Sequence, residues 1–164
     1  MNIELKNIKY AEFASQETHC FEASVYIDGK RVGTVDNDGR GGCHYYRPHT
    51  IEAAIKAHAE TLPAHKWKLD GKELEIKQDA DAVINALLVA HLYARDLKKA
   101  LAKRILFVNK DGILKETKAL TKDKLAAILL TPDLSKRLES DTILNFMPFS
   151  LALQTYRETI AVEA

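Results

Sequence analysis

Apolar and polar residues alternate through the first third of the chain and then give way to helical spacing. Ile3, Leu5, Ile8, Tyr10 and Phe13 alternate and then slip by one position, which predicts a bulged strand within 3–14. Phe21, Ala23, Val25 and Ile27 fall on one face of a second strand, with Glu22, Ser24, Tyr26 and Asp28 on the other. Asp28-Gly29 then predicts a hairpin, because a type I′ turn needs positive φ at both central positions. Arg31-Val32-Gly33-Thr34-Val35 is the returning strand, and Cys43-His44-Tyr45-Tyr46 has strand-like composition.

After Pro48 the period changes. Thr50 is the expected N-cap of a helix whose apolar face is Ile51, Ala54, Ile55 and His58, ending near Leu62-Pro63. Lys66 to Leu69 and Leu74 to Ile76 alternate around Asp70-Gly71, a short hairpin. The longest helix is predicted from Asp79 to Lys103. Val83, Leu87, Ala90, Ala94, Leu97 and Leu101 form its stripe, joined by Ile84, Leu88 and Leu92. Asp79 and Asp81 at its start, and Lys98, Lys99, Lys103 and Arg104 at its end, complement the helix macrodipole. Ile105 to Val108 and Gly112 to Leu114 flank Asn109-Lys110-Asp111 as a further hairpin. Helices near 121–130, 133–139 and 148–160 complete the chain. The expected fold is α+β: an antiparallel N-terminal β-meander with packed helices, and a helix-rich C-terminal half with a further β-hairpin. One domain over 1–164 is expected, with a subdomain boundary near 77–80.

Composition adds bounds. A length of 164 residues, 46% hydrophobic and 29% charged, is enough for a core without metal or disulfide staples. With 24 basic and 23 acidic side chains the formal charge is +1, which disfavours a dedicated nucleic-acid binder. The two cysteines, Cys20 and Cys43, do not make a disulfide framework. The N-terminus carries charge at once and no apolar run approaches a membrane span, so a cytoplasmic protein with no membrane partner is expected.

The oddest segment is Asp36-Asn37-Asp38-Gly39-Arg40-Gly41-Gly42, followed by Cys43, His44, Tyr45, Tyr46 and Arg47. Three glycines in four positions allow backbone N–H groups to approach an anion, with Arg40 to pair its charge. No Gly-Lys-Ser/Thr follows, so this is not a P-loop, and the alternating ligands and terminal Glu of a calcium loop are missing. The plain alternative is a wide turn between strands. No cofactor motif appears, and none is expected. His19-Cys20 and Cys43-His44 carry zinc-type donors, but neighbours on a strand face opposite ways and Cys-x-x-Cys spacing is absent. Cys43 with His19, His44 or His49 as base would be a nucleophile arrangement, though without a signature around it; no nucleophile elbow for a Ser triad is present. His58 and His91 lie on apolar helix faces and read as core histidines.

Arg95, Lys98, Lys99, Lys103 and Arg104 form a basic helix end, relieved by Asp96. It is a candidate phosphate patch or simply a solvated face. Tyr45, Tyr46 and Trp67 look exposed beside Arg47, Lys66 and Lys68, the residue types of interface hot spots.

The stretch Phe21 to Lys30 with Val35 to Gly42, and the ending Ile143-Leu144-Asn145-Phe146-Met147-Pro148-Phe149 with Ala152, Leu153, Tyr156 and Arg157, resemble small accessory proteins of bacteriophages and prophages. The resemblance spans 21–46 and 143–157 and carries no activity and no functional residue. What it implies is a protein that binds a host or defence macromolecule. Three functions follow as expectations: non-enzymatic protein binding through 36–47; nucleic-acid binding through Arg40, Arg47 and the 95–104 patch; or a metal-dependent or Cys/His hydrolase centred on Asp36, Asp38, Cys43 and His44.

Overall fold

The computed structural model describes residues 1–69 and 72–163. Strands β1 (Ile3–Tyr10), β2 (Phe21–Ile27), β3 (Lys30–Asn37) and β4 (Tyr45–Arg47) form an antiparallel sheet in that order. β1 carries the expected bulge between Lys6 and Lys9, where Asn7 takes a φ of 54°. The β2–β3 turn has positive φ at both Asp28 (48°) and Gly29 (81°), the geometry of a type I′ hairpin. Alternation in β2 is realised as buried Phe21, Ala23 and Val25; the small Ser24 is buried as well.

Helix α1 (Thr50–Ala59) starts one residue earlier than a Thr50 cap would allow. His49 is already helical (φ −55°, ψ −24°), and its carbonyl accepts from Glu52 at 3.1 Å, so Thr50 lies inside the helix and makes no cap bond. The buried face is Ile51, Ile55 and Ala59, one residue every fourth; Ala54 is exposed and His58 half-buried. A hairpin of β5 (His65–Leu69) and β6 (Lys72–Ile76) stands as a separate two-stranded sheet. Its expected Asp70-Gly71 turn lies outside the described residues.

Helix α2 (Ala80–Leu101) is the longest element. Ala80, Ile84, Leu88 and Leu92 are buried at steps of four, with Val83 beside them and Leu97 further on. Leu87, Ala90, Ala94 and Leu101 are only half-buried. His91 is exposed, not a core histidine, because the buried face runs through the position after it.

Next come β7 (Leu106–Val108), β8 (Leu114–Glu116), α3 (Lys122–Leu129), α4 (Leu134–Leu138), β9 (Thr142–Ile143) and α5 (Phe149–Glu163). The hairpin and all three helices match the sequence pattern. β9 is an addition: it pairs with β7 to complete a sheet of order β8-β7-β9. The Ser140 hydroxyl donates to Val108 O at 2.6 Å and accepts from Thr142 N at 3.1 Å, which seats this two-residue strand.

The chain divides into two compact units, Met1–Val89 and Ala90–Ala164. In the first, Val25, Val35, Ile55, Ile84 and Leu88 are fully buried. The second has two clusters, one of Leu97, Leu106, Leu144 and Ala152, the other of Ile105, Leu125, Leu134 and Ile143. Among the described residues, no helix is long and apolar enough to cross a membrane.

Candidate binding surface around the glycine-rich loop

Asn37, the last residue of β3, organises the loop. Its carboxamide oxygen accepts from the Thr18 hydroxyl at 2.6 Å and from Gly39 N at 2.9 Å. Its Nδ2 donates towards Gly42 O at 3.3 Å, Cys43 O at 3.4 Å and His44 Nδ1 at 3.2 Å. Arg40 N is held by Asp38 Oδ1 at 3.1 Å, and Gly41 N by Thr18 Oγ1 at 3.3 Å. The N–H groups of Gly39, Arg40 and Gly41 therefore already hold internal oxygens, and that row is not open to an anion. The anion-like geometry runs the other way: the N–H groups of Gln16, Glu17 and Thr18 converge on Gly39 O at 2.9, 3.0 and 3.4 Å.

Gly39 is required at its position. Its φ is 83°, and a Cβ there would sit 2.2 Å from Ala14 O. The loop is thus clipped face-on to the segment 14–18.

A second clamp comes from α2. Asp79 does the capping, accepting from Ala82 N at 2.8 Å. Asp81 instead turns to the loop, where its carboxylate accepts from His44 N at 3.0 Å and from the Tyr46 hydroxyl at 2.7 Å. Burial, followed by the bond to Asp81, pushes the Tyr46 phenol far above its ordinary pKa. His44 is 8% exposed, with its ring edge-on to Phe21 at 5.2 Å. Burial holds its pKa below the ordinary imidazole value, outweighing the opposing pull of Asp81, Asn85 and Asp79. In the neutral ring Nδ1 accepts from Asn37, which leaves the proton on Nε2. Nε2 makes no hydrogen bond of normal geometry among the described residues, although the Asn85 side chain lies near enough to favour the charged form.

These clamps sort the predicted residues into two sets. Asn37, Gly39, His44 and Tyr46 are buried. Tyr46, expected at the surface, is 2% exposed, whereas its neighbour Tyr45 is 57% exposed. The reason is the alternation of β4: with Asp81 taking its hydroxyl, Tyr46 can enter the core whole. Asp38, Arg40, Gly42, Cys43, Tyr45 and Arg47 are exposed, with Asp36 and Gly41 between the two sets. Arg47 pairs with Asp36; Arg40 has no ion pair among the described residues.

His19 packs edge-on against Tyr10 at 5.7 Å, Cys20 is half-buried and Cys43 exposed. Among the described residues, no group of three or more His, Cys, Asp or Glu side chains is placed to hold a metal. Lys66 is exposed; the side chains of Trp67 and Lys68 lie outside the described residues. In the basic helix end, Arg95 bonds Asp96 at 2.9 Å and Arg104 pairs with Glu116.

Sequence reasoning missed Thr18 and Asp81. The available signal for Asp81 was a second acid in a helical turn where Asp79 alone supplies the cap. Compared with protein-family models, curated proteins and solved structures, the chain matches none.

Proposed function

We propose that the chain is a non-enzymatic binding protein of the bacteriophage accessory kind, working in the host cytoplasm. Its contact is the outer side of residues 36–47, and its partner a host or defence protein. One observation carries this reading. His44, the loop's candidate base, is buried in the fold, while Arg40 and Tyr45 are exposed on a backbone fixed by Asn37 and Asp81. A rigid loop presenting an aromatic ring and a guanidinium loses little entropy on docking, which is how hot spots gain affinity.

The test is affinity capture from host lysate with the wild-type chain and with Arg40→Ala/Tyr45→Ala. Both side chains are exposed, so the variant should keep its fold. Its capture of the specific partner should fall about tenfold or more. Equal capture by both forms removes the loop as the contact.

A further inference from the structure

A different surface, wholly within the second unit, has the chemistry of a polyanion site. Between residues 98 and 124 there are nine Lys and Arg against three Asp and Glu, a local excess that the whole-chain charge of +1 conceals. The Arg104 guanidinium is taken by Glu116 and the Lys110 ammonium by Glu139. Lys98, Lys99, Lys103, Lys118 and Lys122 are exposed and make no ion pair among the described residues.

The backbone brings these lysines together. Leu120 N donates to Lys103 O at 2.7 Å, and Thr117 N to Ile105 O at 3.0 Å, so the segment bearing Lys118 and Lys122 runs beside the end of α2. Asn145 Nδ2 donates to Arg104 O at 2.9 Å, fixing the turn that carries Phe146 to the same place. Phe146 is 56% exposed and Phe149 37%, and Lys98 Nζ lies 5.2 Å from the Phe149 ring centre.

Helix stability explains the lysines on α2 but not Lys122. Lys122 shares the first turn of α3 with Asp123, the residue there that complements the helix dipole, and no side-chain cap bond is made at Thr121 among the described residues.

We infer that this face binds a single-stranded nucleic acid, its lysines meeting the phosphates and Phe146 and Phe149 stacking on bases. Exposed rings interleaved with lysines are what a sequence-tolerant single-strand site needs, whereas a duplex hides its base faces.

Fluorescence anisotropy on the full chain tests this, using labelled oligothymidylate and oligouridylate of about 16 nucleotides. Duplex DNA and phosphatidylserine vesicles serve as comparison arms. The two oligomers distinguish DNA from RNA, and binding to either supports the site. Four phosphate contacts would weaken binding about 50-fold between about 50 and about 200 mM salt. Lys103→Gln/Lys118→Gln/Lys122→Gln should weaken it further and flatten the salt slope, while the triple Arg variant keeps both. Phe146→Ala should weaken binding at least about fivefold and leave the slope unchanged. The inference is overturned if neither oligomer binds at low salt, or if the Gln or Phe146→Ala variant binds like wild type. Vesicles or duplex bound as tightly as the single strands overturn it too. Far-UV circular dichroism confirms that each variant is folded; should the Gln triple fail to fold, Phe146→Ala and the salt slope decide alone.

Discussion

Asn37 shows how one side chain fixes a loop. Its amide divides cleanly: the oxygen takes two donors, and the NH2 faces Gly42 O, Cys43 O and His44 Nδ1. Asn37→Asp would turn that NH2 side into an acceptor facing two carbonyls and a ring nitrogen. At about pH 7.5 it should cost about 2–4 kcal/mol. The effect of pH should also reverse. In the wild type, the buried neutral His44 has a folded pKa below the unfolded value of about 6.5. The unfolded chain therefore takes up the proton first, and stability present above about 6.5 falls as pH drops through that window. In Asn37→Asp, a protonated Nδ1 donates to the new carboxylate. The folded pKa is then raised, and stability grows as pH falls. Urea midpoints at about pH 7.5 and about pH 5.5 check this. A variant that weakens on acidification as the wild type does would show that His44 does not meet Asn37 through Nδ1.

At the scale of elements, the tie between α2 and β4 is carried by Asp81, whose two oxygens serve a backbone N–H and a buried phenol. Tyr46→Phe leaves one carboxylate oxygen short of a donor and should cost about 1–2 kcal/mol. Asp81→Ala strands both donors and should cost about 3 kcal/mol. Because the partners touch, the two losses should not add, and a double-mutant cycle should return a coupling of about 1–2 kcal/mol. Additive losses would mean that the 2.7 Å contact contributes nothing to stability. The elements these residues join were legible in the sequence; the bond between them was not. Alternation located β2 and the Asp28-Gly29 turn because period and turn chemistry are local properties. Asp81 and Tyr46 are 35 positions apart, and nothing in the composition of either segment names the other. Thr50 failed as a cap for a related reason. Capping propensity is real, but the tight turn at Pro48 to His49 began the helix before the residue best suited to it. β9 is too short to show a period at all, and owes its place to the Ser140 hydroxyl.

For the whole molecule, averages conceal what the division into two units reveals. Residues 1–89 carry 11 basic and 14 acidic side chains, residues 90–164 carry 13 and 9, and the sum of +1 describes neither. Hydrophobic stripes mislead in a similar way. α2 is apolar around much of its circumference, so the pattern offered nine candidate core positions, and packing chose among them. Leu97 is the sharpest case, fully buried in a cluster with Leu106, Leu144 and Ala152. Leu97→Ala should cost about 3–5 kcal/mol, because the closely packed residues around it cannot collapse into the space left. Methyl resonances of Leu106, Leu144 and Ala152 should shift with it. Leu130, an apolar residue of the same size, is 82% exposed, and Leu130→Ala should stay within about 0.5 kcal/mol of wild type. The sequence pattern places both leucines within predicted helices, 79–103 and 121–130. A similar loss from both would mean that Leu130 is covered in solution, which is what a partner or second copy docked on that side of the second unit would do.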